Sequence, residues 1–240
     1  MSNTLQNKTA LITGGSKGIG LGVAESMVKE GMNVIVTSRH QEAADAAANS
    51  LNKIGPGKAL GVKSDVRDLA SQEAAVSKAI EAFGALDIVI ANAGVGHFAP
   101  IHELTPEQWN ETIDINLTGV FYSVKASMNA LKNSKGYLIT IASLAGANFF
   151  ANGSAYNASK FGLVGFTQAT MLDLRQMGIK VSTIMPGSVA TYFNNHVPND
   201  ADGWKIQPED IGQMVIDLLK LPARTLPSKV EVRPTMPPKK

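Results

Sequence analysis

The strongest constraint on this chain is an alternation. Short, β-branched apolar runs take turns with longer stretches whose apolar residues recur at helical spacing. Lys8–Thr13 (KTALIT), Asn33–Thr37, Ala59–Lys63, Leu86–Ala91 (LDIVIA), Tyr137–Ala142, Ile179–Ile184 and Lys229–Val232 have the length and composition of strands. Between them lie predicted helices over Ile19–Glu30, Gln41–Ile54, Ser71–Phe83, Glu107–Leu131, Ala155–Met177 and Pro208–Leu219. Thr105 stands where the fourth helix needs a cap, with Pro106 at its first position. Gly31 and the Gly55-Pro56-Gly57 break supply stops. Strands separated by helices form βαβ crossovers, which implies a parallel sheet covered on both faces. Strands that are apolar nearly throughout agree, because both of their faces are buried. The expected class is α/β, a doubly wound parallel sheet of about seven strands in one domain.

Composition narrows the chemistry. The net charge of +2 comes from interspersed signs, so there is no basic field for nucleic acid and no acidic tail. The chain has no cysteine, which excludes disulfides, thiolate metal sites and thiol nucleophiles. His40, His97, His102 and His196 are scattered without metal-ligand spacing, so no metal is expected. The start, MSNTLQNKTALIT, has no basic segment leading into an apolar core, and no apolar run approaches the roughly 18 residues of a membrane span. A cytoplasmic protein without membrane or nucleic-acid partners is the expectation.

The first strand empties into Thr13-Gly14-Gly15-Ser16-Lys17-Gly18-Ile19-Gly20. Glycines at a strand–helix turn let backbone approach a phosphate closely, and the helix N-terminus offers free N–H groups and a positive dipole end. A ligand-free glycine turn would have the same composition, but both flanks suit a nucleotide. An NAD site usually carries an acidic residue at the end of the second strand. Here Ser38 and Arg39 stand there, with Lys17 in the glycine turn. A hydroxyl and two cations suit a 2′-phosphate, so NADP(H) is the expected cofactor. Further on, Tyr156 and Lys160 are four apart in a predicted helix and point the same way. An ammonium beside a phenol should pull its pKa from about 10 toward neutrality and make a proton donor or acceptor. Taken alone, the pair is also what ordinary helix packing produces.

The ordered set TGGSKGIG at Thr13–Gly20, Asp65-Val66, Asn92-Ala93-Gly94, Asn116, Ser143, Tyr156-x-x-x-Lys160 and Pro186-Gly187 resembles the short-chain dehydrogenase/reductase superfamily, in its single-domain branch. The likeness spans nearly the whole chain. It is nearest to carbonyl reductases of the 3-oxoacyl-ACP reductase kind. It implies a Rossmann-like fold over residues 1–240, with a short substrate lid at about 190–207 and an extended tail from about 233. It also implies that Gly14, Ser16, Lys17, Gly18, Ile19 and Gly20 hold the pyrophosphate, and Ser38 and Arg39 the 2′-phosphate. Asp65 and Val66 would meet the adenine, unless Asp65 is only a helix cap. Asn92, Ala93 and Gly94 would lie beside the ribose and brace the sheet. Pro186, Gly187, Val189 and Thr191 would border the nicotinamide. Ser143 would bind the substrate oxygen, Tyr156 would pass the proton, and Lys160 would hold the nicotinamide ribose and tune the tyrosine. Asn116 would hold a water linking Lys160 to solvent, or would serve as a buried hydrogen-bonding residue.

The implied activity is NADPH-dependent reduction of a ketone or 3-oxoacyl carbonyl. The alternatives are an alcohol or sugar dehydrogenase working oxidatively, and a non-catalytic NADP(H) sensor. Gly96, His97, Phe98, Leu144–Phe150, Tyr192, Phe193, His196 and Trp204 are candidate pocket residues. Phe149 and Phe150 could equally be subunit contacts, and both histidines could be exposed loop residues. A short lid implies an open cleft. The resemblance also implies pairing of the long helices Glu107–Leu131 and Ala155–Met177 into a homo-dimer or homo-tetramer, for which Phe161, Val164, Phe166 and Leu172 are apolar enough, although a monomer's core would use some of the same residues.

Overall fold

The computed structural model describes residues 4–236. Seven strands form one parallel sheet, β1 Thr9–Ile12, β2 Asn33–Ser38, β3 Ala59–Lys63, β4 Ile88–Ala91, β5 Tyr137–Ile141, β6 Lys180–Pro186 and β7 Lys229–Val232. Their order is β3-β2-β1-β4-β5-β6-β7, so the winding reverses between β1 and β4, and a ligand crevice belongs above the carboxyl ends there. Helices α1 Gly18–Lys29, α2 Gln41–Leu51, α3 Leu69–Phe83, α4 Pro106–Ile113, α5 Gly119–Ser134, α6 Ser154–Leu174 and α7 Pro208–Lys220 cover both faces. No helix among the described residues is long and apolar enough to cross a membrane.

The two faces are sorted by strand periodicity. Ala10, Ile12, Val34, Val36, Ile88 and Ile90 pack with Met27 and Val28 of α1 and Val215 and Ile216 of α7. Their neighbours in sequence, Leu11, Ile35 and Val89, point the other way, against Ala75 and Ala79 of α3 and Val124 and Leu131 of α5. Each large side chain so buried contributes about 1.5–3 kcal/mol. Only β7, on the sheet edge, alternates exposed and half-buried residues.

Several boundaries differ from the sequence reading. β4 begins at Ile88, and just before it the Asp87 carboxylate accepts Thr9 N–H at 2.9 Å and pairs with Lys8 at 2.7 Å. β6 continues to Pro186, held by register with β7 through Val232. The long fourth helix is not one α-helix. Thr105 and Gln108 form the expected capping box with Pro106 at the first position, but α4 stops at Ile113 and a π-helical turn, Asp114–Thr118, joins it to α5. The expected tail is described only to Met236, and its last four residues lie outside the described chain.

Candidate active site

The glycine turn is shaped for close approach. Gly14 and Gly18 have φ of +62° and +57°, where a side chain is strained. A Cβ on Gly20 would come within 2.5 Å of the Gly14 carbonyl oxygen and 2.6 Å of Asn92 Nδ2. Asn92 holds the turn from β4: its Nδ2 donates to the carbonyls of Thr13 (2.9 Å) and Gly14 (3.1 Å). The N–H groups of Asn92 and Ala93 both donate to Thr13 Oγ1, at 3.0 and 3.1 Å. Bracing is therefore a real function of this pair. Lys17 occupies the cap position of α1 with no side-chain cap, and no acid stands in the first turn. The N–H groups of α1 thus keep an anion site open between half-buried Ser16 and Ile19. These features fit a dinucleotide pyrophosphate.

At the far end, Ser38 closes β2 and its hydroxyl accepts His40 N–H at 3.3 Å, while Arg39 is exposed. Asp65 does not cap α3, since Asp68 does so by accepting Ala70 N–H. Instead the Asp65 carboxylate takes a bidentate grip from Arg67, with Nη2–Oδ2 at 2.6 Å and Nε–Oδ1 at 3.0 Å. Arg67, and to a lesser degree Arg39, hold its carboxyl below the ordinary range. Two guanidiniums therefore surround the candidate adenine and 2′-phosphate end. Arg67 was not among the expected site residues, and its only sequence signal is its place two residues after Asp65. Val66 is buried against Gly119 at the start of α5.

Tyr156 and Lys160 rise from the first turns of α6 on one face, Nζ 5.7 Å from the phenol ring centroid. Ser143 ends the loop after β5, where its Oγ accepts Ala145 N–H at 3.1 Å and keeps its own proton for donation. Its hydroxyl also favours the ionised form of the Tyr156 phenol. Gly94 brings the β4 loop to the same point, since a Cβ there would be 3.8 Å from Lys160 Nζ and 3.3 Å from Asn116 Oδ1. Thr191, at the base of the 190–207 segment, packs against Gly18 of the glycine turn. Val189 bridges to Ile206 in parallel, and Gly187 lies against Leu144. Thus β1, β4, β5, β6 and α6 converge on one crevice, with Pro186, Gly187, Val189 and Thr191 along its rim.

One expectation needs correction. The Tyr156 pKa is raised, not lowered, in the protein without ligand: burial penalises the phenolate, and the Ser143 hydrogen bond only partly offsets it. Lys160 does not oppose this because its ammonium lies over the ring and donates to the Ile141 carbonyl at 3.1 Å. Burial also brings its own pKa down to about 8. Asn116 falls in the π-turn, a feature frequent at functional sites, and its side chain is buried. Oδ1 accepts Val95 N–H at 2.8 Å, and Nδ2 donates to Val95 O at 2.9 Å and Ser159 Oγ at 3.0 Å. Both Nδ2 hydrogens are used and Oδ1 accepts one bond, so the side chain acts as a buried hydrogen-bonding residue that ties the β4 loop to α6. Ser159, its partner, and Asn157, which donates to the carbonyls of Ala145 and Asn148 at 2.8 Å each, support the site without any motif to mark them.

Aromatic rings surround the phenol. Phe98 meets Tyr156 edge-on with centroids 5.3 Å apart, and Phe193 lies 5.6 Å from it. Phe98 also contacts Phe150 (5.9 Å) and Phe193 (6.2 Å). Phe149 points away and is largely exposed.

The short chain dehydrogenase family model matches residues 8–202. The chain is 37% identical to trans-4-hydroxycyclohexanecarboxylate dehydrogenase of Sinomonas cyclohexanicum over 80% of its length and 76% of that protein's. It is 35% identical to cyclohexanol dehydrogenase of Acinetobacter sp. strain SE19, with 91% and 90% covered. An alcohol dehydrogenase from the archaeon Thermococcus sibiricus, solved with 5-hydroxy-NADP, superposes with a TM-score of 0.90 at 28% identity, covering 97% and 99% of the two chains.

Proposed function

The chain belongs to the short-chain dehydrogenase family, oxidoreductases that use a nicotinamide cofactor on alcohol and ketone groups, and we propose that it reduces a ketone with NADPH, Tyr156 giving the proton. The observation that carries this reading is Lys160. The residue is 4% exposed, and among the described residues its ammonium faces no carboxylate. A charge buried without a counter-ion destabilises a fold, so its retention points to work in the reaction. The bound nicotinamide would supply a hydride to the carbonyl carbon. The residues of the chain do the rest. Ser143 and Tyr156 donate hydrogen bonds to the carbonyl oxygen where negative charge grows. As the carbonyl π bond breaks, the oxygen takes the Tyr156 proton, which solvent replaces, and an alcohol results. Burial keeps the Tyr156 phenol protonated at neutral pH, the form that has a proton to give.

NADPH over NADH is supported by Arg39, Ser38 and Lys17 and by the absence of an acidic residue at the end of β2. Asp65, which could have repelled a phosphate, is neutralised by Arg67. Pairing across α5 and α6 is supported by Phe121, Phe161 and Leu172, all substantially exposed on neighbouring helices. The test of the reaction is NADPH absorbance against a panel of ketones, with Tyr156→Phe as control. Turnover by the natural chain and a loss of about 100-fold or more in the variant, with NADPH still bound, are expected. Turnover that survives in Tyr156→Phe would refute the role of this residue.

A further inference from the structure

We infer that the substrate is an uncharged ring ketone, alicyclic or aryl, seated against Phe98, Phe150 and Phe193. This rests on the reductase reading above and names its substrate class. Three loops frame the crevice beyond Tyr156: residues 92–105 after β4, 142–153 after β5 and 187–207 after β6. Each supplies one phenylalanine to a cluster: Phe98 and Phe193 lie 5.3 and 5.6 Å from the phenol, and Phe98 stands 5.9 Å from Phe150 and 6.2 Å from Phe193 between centroids. Phe98, Phe150 and Phe193 nonetheless keep 37%, 48% and 38% of their surface exposed, so the cluster presents faces and edges to whatever enters. The arrangement is built into the backbone. Gly96 makes room for it, since a Cβ there would lie 2.6 Å from Phe193 Cζ and 2.8 Å from Phe98. Asn157 ties down the loop of Phe150 by accepting its N–H at 3.4 Å. Asn194 and Asn195 adopt φ of +54° and +59°, a left-handed turn that asparagine tolerates better than other side chains, and this places Phe193 beside the phenol.

The same loops carry four basic side chains, and every one faces a carboxylate. His97 meets Glu111 at 2.8 Å and His102 meets Glu103 at 3.6 Å. His196 and Lys205 share the buried Asp202, Lys205 at 2.6 Å. None is left to meet a substrate carboxylate, so an acidic ketone would lose hydration for contact with rings alone. An apolar ring gains from the same contact.

A matched pair tests this: NADPH oxidation with 4-methylcyclohexanone and with 4-oxocyclohexanecarboxylate, equal in ring and nearly equal in size. A kcat/KM about 100-fold higher for the uncharged ketone is expected, the scale on which an unpaired charge is rejected by an apolar site. In Phe193→Ala, whose side chain is exposed and whose folding is checked by circular dichroism, KM for the methyl ketone should rise about 10-fold. Its discrimination against the acid should narrow, and Phe193→Leu should restore part of it. Equal rates for the two ketones, or preference for the acid, overturn the substrate class while leaving the reductase reading intact. So does a Phe193→Ala effect equal on both ketones. Reduction of neither overturns the reductase reading and this inference with it.

Discussion

Replacing Lys160 by methionine should make the ligand-free protein more stable and the enzyme inactive. Methionine keeps the length and apolar stem of the side chain but removes its charge. Burial lowers the Lys160 pKa from 10.5 to about 8. That difference corresponds to about 3 kcal/mol by which the folded state disfavours the ammonium at neutral pH. The lost bond from Nζ to Ile141 O offsets about 1 kcal/mol. A net gain of about 2 kcal/mol remains, or a Tm higher by about 4–8 °C for a chain of this size. The pH dependence carries the sign. Below about 8 the folded and unfolded states both hold the proton, so the destabilisation is present in full. Between about 8 and 10.5 the folded state has released it while the unfolded state has not, so stability rises with pH. Urea unfolding from pH 7 to 10.5 should therefore show the natural chain gaining on Lys160→Met until the gap closes. A variant less stable at pH 7, or two parallel pH curves, would refute the reasoning.

Arg39→Asp should raise the KM for NADPH about 10- to 100-fold and that for NADH little, since it replaces a charge-assisted bond to the 2′-phosphate with repulsion. Equal effects on both cofactors would remove Arg39 from that site. Asn116→Ala should lower stability by about 3 kcal/mol, or about 6–12 °C in Tm, because Val95 N–H loses its partner in a buried region. Unchanged stability with lost turnover would return the Asn116 side chain to a direct part in the reaction. In solution, light scattering should give at least twice the chain's 25.3 kDa, and Phe161→Glu should reduce it. A monomer would sink the pairing of α5 and α6.

The fold class, the seven strands, the glycine turn, the α4 cap and the Tyr156–Lys160 alignment were all legible in the residues. Each rests on a short-range pattern: brief β-branched apolar runs, the φ that glycine permits, a cap at a helix start, and a little under four residues per helical turn. Tertiary structure decided the rest. Asn116 finds its partners 21 and 43 residues away, so no local pattern shows what its side chain bonds to. The π-turn around it interrupts a stretch whose spacing alone predicts one continuous helix. Asp65 is neutralised by an arginine in its own loop instead of capping a helix. Most telling is Tyr156. Spacing placed the ammonium near the phenol, but whether that lowers the phenol's pKa depends on which atom the ammonium faces and how much water remains. Rings from two distant loops, Phe98 and Phe193, pack on the phenol, and Lys160 turns to the Ile141 carbonyl. Desolvation is a property of everything packed around a group, and it appears only once the chain has folded.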